Sequence, residues 1–235
     1  MKTLVAQLRT LLRRTARLAV MLPFAAFLHE PSPALAQSSL GTARSFAVLG
    51  GPAVTLTNSV VTGDVGVALS AAITNTGSTI VGNIHAGDVV AAQAYNDFLV
   101  AYDALAAKRC DVVMTGTLAG QTLAPGVYCF DAAATLTGQL TLDGPSSGIW
   151  IFKIGTSGVG ALTGTSFSVV MANAGQARNV HWVVAEATTM TDSVFQGNIL
   201  AGAAITITRG SLVGRALAES AVTLTDTNVH GSSLR

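Results

Sequence analysis

Three segments in the last third of the chain align at a spacing of 17 residues. They are Ala187-Thr-Thr-Met-Thr-Asp-Ser-Val-Phe-Gln-Gly197, Ala204-Ile-Thr-Ile-Thr-Arg-Gly-Ser-Leu-Val-Gly214 and Ala221-Val-Thr-Leu-Thr-Asp-Thr-Asn-Val-His-Gly231. Each holds a Thr-x-Thr step and, six residues after its second threonine, a glycine. A fixed period of this size, carried by short β-forming runs, predicts a solenoid whose repeats are single coils. Alternate side chains of a strand share a face, so both threonines of a step point outward together. Met190, Ile207 and Leu224 then point into the core. Stacking would leave two parallel files of hydroxyls and methyls, about 4.8 Å apart from coil to coil.

The pattern also occurs far upstream. Ala53-Val-Thr-Leu-Thr-Asn-Ser-Val-Val-Thr-Gly63 matches it closely, and Asn75-Thr-Gly-Ser-Thr-Ile-Val-Gly82 repeats its glycine end. Between the two groups lies a predicted helix, from about residue 88 to 108. Tyr95, Phe98, Leu99, Tyr102, Leu105 and Ala106 recur at three- and four-residue intervals and make one apolar stripe. Asp88 is suited to its N-cap, and Lys108 and Arg109 to its C-terminal end. Short strand-like runs follow, among them Ile149–Ile154, whose near-continuous apolar character predicts burial on both sides, under the helix. The repeating glycines Gly63, Gly82, Gly197, Gly214 and Gly231 are expected to turn corners between strands.

Half of the 235 residues are hydrophobic and only 11% are charged. That is too apolar for disorder and too poor in charge for a helical bundle. Residues 1–36 read as a secretory signal peptide. Lys2, Arg9, Arg13, Arg14 and Arg17 precede an apolar run, Leu18 to Leu28, and Ala34-Leu-Ala36 supplies a cleavage site. That run is interrupted by Pro23 and is too short to span a bilayer. The leader holds five of the 13 basic and one of the 12 acidic residues, which leaves a net charge of −3 on residues 37–235, a single domain. No basic patch survives, which argues against nucleic acid as a partner. Cys110 and Cys129 in an exported chain read as one disulfide, with two buried free thiols as the alternative. His85, His181 and His230 are scattered, so no metal spacing is visible.

In order along the chain, Leu40-Gly-Thr-Ala-Arg-Ser-Phe-Ala-Val-Leu-Gly50, Val61-Thr-Gly-Asp-Val-Gly66, Gly82-Asn-Ile-His-Ala86, Leu123-Ala-Pro-Gly-Val-Tyr128, Leu136-Thr-Gly-Gln-Leu-Thr-Leu-Asp143 and Gly214-Arg-Ala-Leu-Ala218 resemble the bacterial and fungal ice-binding proteins. The resemblance implies an all-β-dominated fold, a right-handed, irregular (discontinuous) β-solenoid of about triangular cross-section with one long α-helix packed alongside. It implies that the N-terminal coil packs next to the C-terminal coils, and that Cys110 and Cys129 pair. Active members of that family often carry Thr-(Ala/Gly)-x-(Thr/Asn), starting six residues before the coil glycine. Thr76-Gly77-Ser78-Thr79 matches in full. Thr208-Arg209-Gly210-Ser211 and Thr225-Asp226-Thr227-Asn228 match in part, while Thr57-Asn58-Ser59-Val60 and Thr191-Asp192-Ser193-Val194 keep only the first threonine.

A threonine array suits ice because ice offers neither charge nor pocket. The methyl restricts neighbouring water, the hydroxyl anchors it, and the β-branch limits rotamers before contact. β-propensity alone also accounts for threonine on exposed strands. Asp192, Arg209 and Asp226 share one column and read as a weak surface ion-pair ladder. As an acid/base pair, Asp192 and Asp226 would lie about 9.6 Å apart, but Arg209 between them would keep both ionised. The chain therefore reads as a non-enzymatic, secreted (or periplasmic) ice-binding monomer of moderate or weak potency. Its only partner is the ice crystal surface, with no cofactor, metal, nucleic acid or membrane after cleavage. The predicted contact residues are Thr55, Thr57, Thr76, Thr79, Thr189, Thr191, Thr206, Thr208, Ser211, Thr223 and Thr225. An extracellular structural or adhesive module without ice affinity is the alternative. Mass spectrometry of the exported chain is expected to place its N-terminus at Gln37, and retention of the leader would overturn the cleavage reading.

Overall fold

Coils stack because each strand segment pairs in parallel with the segment one coil away, and a coil contributes up to three such segments. The computed structural model describes residues 40–231; the predicted leader and its cleavage site lie outside them. On the first surface the pairing order is 134–136, 162–165, 188–191, 205–208, 222–225, 54–57 and 73–76. Inward residues of these segments, Leu136, Met190, Ile207, Leu224 and Leu56, are buried as the alternation requires. A second surface follows one corner later, and a third is built from segments such as Gly126–Phe130, Trp150–Ile154 and Val180–Val184.

The pairing order explains why the repeat stops and returns. Residues 46–86 make two coils at one end of the stack, and the helix Val89–Ala106 then carries the chain back along the third surface. Eighteen residues give a rod of about 27 Å, the reach of several coils. The chain resumes at the far end, where Val112 and Val113 pair beside Tyr128 and Cys129. Successive coils then build back until the last meets the first, with Thr223 beside Thr55 and Thr225 beside Thr57. The expected neighbourhood of N- and C-terminal coils is thus observed.

The helix is close to its predicted extent. Asp88 caps it by accepting from the Ala91 N–H at 2.8 Å, but it ends at Ala106, so Lys108 and Arg109 lie beyond its last turn. The buried line is Ala91, Ala94, Phe98, Ala101 and Leu105; Tyr95, Leu99, Tyr102 and Ala106 flank it, half-buried. Four small or medium residues around Phe98 let the helix approach Leu49, Ile151, Val183, Leu200 and Leu217. Tyr95 and Tyr102 donate through their hydroxyls to the Glu219 and Val184 carbonyls at 3.0 and 3.1 Å. Each such bond adds about 1 kcal/mol, whereas truncating a buried phenylalanine costs about 3–5, so apolar contact dominates the attachment.

Segment Trp150–Ile154 is buried on both sides, as its composition predicts. Ile151 faces the helix, while Phe152 stacks on Trp182 in the solenoid core at 4.0 Å between ring centroids. Tyr128 and Phe195 extend this aromatic column. At the foot of the helix Cys110 and Cys129 are disulfide-bonded, 19 residues apart in sequence. Lys153 reinforces the same place by donating to the Lys108 carbonyl at 2.8 Å.

Beneath residues 41–45, His181, Asn198 and Arg215 occupy one register position on successive strands. Arg215 donates to the Asn198 side chain at 2.9 Å and to the Arg44 carbonyl at 2.8 Å. The His181 ring is buried, and neither of its nitrogens has a hydrogen-bond partner among the described residues. Burial, aided by the Arg215 charge, pushes its pKa down to about 4.

Two outcomes follow for stability. Replacing both cysteines with serine should lower the unfolding free energy by about 3 kcal/mol, read by denaturant melts, because closing a loop of this length removes entropy from the unfolded chain. For His181 the unfolded state protonates first. Its contribution is therefore complete above pH 6.5 and lost as pH falls towards 4, about 3 kcal/mol in all. His181→Leu should flatten that part of the stability–pH curve, and an unchanged slope would refute the assignment.

Candidate functional site

On the first surface the outward side chains are almost all threonine. Register joins Thr135, Thr163, Thr189, Thr206, Thr223, Thr55 and Thr74 into one file. Thr165, Thr191, Thr208, Thr225, Thr57 and Thr76 form the second. Nine of the predicted contact residues, Thr55, Thr57, Thr76, Thr189, Thr191, Thr206, Thr208, Thr223 and Thr225, lie in these files. Thr79 and Ser211 do not: both stand beyond the corner, at the head of the second surface. One face cannot present all eleven.

Sequence reasoning missed Thr74, Thr135, Thr163 and Thr165. A signal was present, since Thr74-Asn-Thr76, Thr135-Leu-Thr137 and Thr163-Gly-Thr165 are all Thr-x-Thr steps. Their coils depart from the period: Thr135 to Thr163 is 28 residues, Thr163 to Thr189 is 26, and Thr55 to Thr74 is 19. The extra residues sit in connections outside the Thr-x-Thr step, so pairing remains in register while periodicity in the sequence is lost.

The corner after each step has its own chemistry. Ser166, Asp192, Arg209, Asp226 and Asn58 all adopt left-handed backbone, with φ between 47° and 52°, and Gly138 and Gly77 do so at 69° and 68°. Except after Gly138, where the register shifts by one residue, the next residue turns inward. Ser59, Ser193 and Thr227 are buried there, and each hydroxyl donates at 2.9 Å to the carbonyl two residues before it. The two serine oxygens also accept backbone N–H groups from other coils: Thr227 to Ser59 at 3.1 Å and Phe167 to Ser193 at 3.2 Å. Sharp turning would otherwise strand these backbone groups. In the four-residue motif, then, the first position belongs to a threonine file, the second makes the corner, a serine or threonine at the third satisfies the backbone, and the fourth begins another surface.

Asp192, Arg209 and Asp226 are therefore corner residues and border the second threonine file. Arg209 donates to both Asp192 carboxylate oxygens, at 2.9 and 3.0 Å. That hydrogen bonding holds the Asp192 carboxyl below the ordinary carboxylate range and pushes Arg209 up. A carboxylate kept ionised in this way is poorly suited to act as a general acid.

The other surfaces are less uniform. The second presents Gln139, Ser168, Val194, Ser211, Asn228, Val60 and Thr79 in its first outward column. Val60, Val81, Val170 and Val194 are exposed on it, between polar neighbours. The helix covers much of the third. Of the two surfaces the helix leaves open, and among the described residues, only the threonine surface repeats one side chain along its outward files.

Comparison with known proteins points in one direction. A family model described as "Ice-binding-like" matches residues 48–230. An ice-binding protein of Nostoc sp. (strain HG1) is 41% identical over 200 residues, covering 83% of this chain and 72% of the relative. Ice-binding protein K3-B1 of Typhula ishikariensis is 32% identical over 193 residues, 71% of this chain and 78% of its own length. The crystal structure of an ice-binding protein from the Antarctic ascomycete Antarctomyces psychrotrophicus superposes with a TM-score of 0.78 at 35% identity, over 83% of this chain and 98% of that one.

Proposed function

Because the chain belongs to the ice-binding-like family, we propose that it adsorbs to ice through the threonine surface and so inhibits ice growth or recrystallisation. The family is one of ice-binding proteins rather than of enzymes, and the function assigned here is antifreeze. The single observation that carries the choice of surface is register. Seven threonines in one file and six beside it repeat at the coil spacing, about 4.8 Å.

Adsorption needs no proton transfer or bond cleavage. A β-branched side chain on a paired strand has few rotamers to lose, so ordering it against the lattice costs little entropy. The hydrophobic core beneath holds the strands rigidly, since interiors are close-packed. The contact set comprises the nine predicted file residues together with Thr74, Thr135, Thr163 and Thr165. Thr79 and Ser211 belong at its margin. Potency is moderate or weak, because one coil in five, Thr76-Gly77-Ser78-Thr79, carries the full four-residue motif. Export through cleavage after Ala36 would release a monomer outside the cell. No helix among the described residues is long and apolar enough to cross a membrane.

Recrystallisation inhibition by the exported protein tests the proposal, with two variants in one coil. Thr208→Tyr on the threonine surface should raise the concentration needed by about tenfold or more, since a ring at the centre of a flat contact holds its neighbours off. Val213→Tyr, outward on the second surface, should leave it nearly unchanged. The reverse pattern would move the contact to the second surface, and an inactive wild-type protein that is shown to be folded would refute ice binding.

A further inference from the structure

We propose that the charged corner rung Asp192–Arg209–Asp226 restrains ice adsorption, holding the threonine surface below the activity its register would support. The inference rests on assigning ice contact to that surface. The fold requires a residue that tolerates left-handed backbone at this corner, and it does not require a charge. Other coils place Ser166, Asn58 and Gly77 in the same column. Arginine gains nothing there from its backbone: at φ 50° its Cβ is crowded, whereas glycine and asparagine adopt that conformation readily.

Position makes the charges matter. Each directly follows a member of the second file, Thr191, Thr208 or Thr225, in three consecutive coils at the middle of the array. Asp192 and Arg209 are about half exposed, with relative side-chain accessibilities of 47% and 56%. Their bidentate pair sits at the rim of the threonine surface instead of beneath it. Ionised groups hold their hydration strongly, and stripping or reordering that water is expensive. An ice lattice brought against Thr191, Thr208 and Thr225 must either displace the hydration shell of the rung or stand away from it. Pairing reduces this penalty without abolishing it, because Arg209 faces two carboxylates and the rung carries a net negative charge.

The test is the triple variant Asp192→Asn, Arg209→Asn, Asp226→Asn. Asn58 already occupies this column at φ 47°, so the substitution removes charge and keeps a compatible backbone. In recrystallisation assays the triple variant should work at about one third of the wild-type concentration or less, a gain of about 0.65 kcal/mol in adsorption. Its thermal melt should stay close to wild type. Asn58→Asp, which extends the charged column by one coil, should shift activity the other way. A folded triple variant no more active than wild type overturns the proposal. If the triple variant does not fold, an Asn58→Asp protein with unchanged activity overturns it. Failure of the underlying reading looks different, since wild-type protein would then not inhibit recrystallisation at all.

Discussion

The chain turns left-handed immediately after the Thr-x-Thr step, and the regularity of the molecule depends on six consecutive coils doing so in one column. The turn is costly for most side chains, and it also exposes backbone groups that have no partner within the coil. Asparagine, aspartate and glycine meet the first demand at Asn58, Asp192, Asp226, Gly77 and Gly138. Buried hydroxyls at Ser59, Ser193 and Thr227 meet the second. With corners aligned, parallel pairing has one register available, and the threonines ahead of each corner fall into files.

The helix solves a different problem. A solenoid built strictly in chain order has two terminal coils and two chain ends to protect. Here the chain makes two coils, returns through Val89–Ala106, and finishes against its own beginning. The C-terminal strand is paired on both sides as a result, and the third surface gains an apolar cover through Phe98 and Leu105. The disulfide and Lys153 fix the point where the returning chain re-enters the stack. One surface is consumed in this way, which leaves two open, and only one of those is lined by a single residue type.

The uncovered threonine surface is a physical match for a repeating solid rather than for a discrete ligand. It has no convergent polar groups, and among the described residues no cluster of three or more His, Cys, Asp or Glu side chains could hold a metal ion. Family membership and the register of the files bear on different questions. Membership assigns ice as the target, while register favours one face over another. The charged rung bordering Thr191, Thr208 and Thr225 is a part of this surface that neither fold nor ice contact explains.

Periodicity in the sequence was enough to determine a solenoid, the outward threonines of three consecutive coils, the inward Met190, Ile207 and Leu224, and a helix capped by Asp88. These are local properties, set by strand alternation, helical spacing and capping chemistry, and they survive without knowledge of neighbours. Tertiary structure alone decided that Thr74, Thr135, Thr163 and Thr165 join the files, because insertions outside the paired step erase the period while backbone pairing preserves the register. It also decided that Thr79 and Ser211 leave the face, and that Asp192, Arg209 and Asp226 form a rim. A corner's direction depends on a backbone dihedral, and one left-handed residue is enough to send the next side chains to another surface.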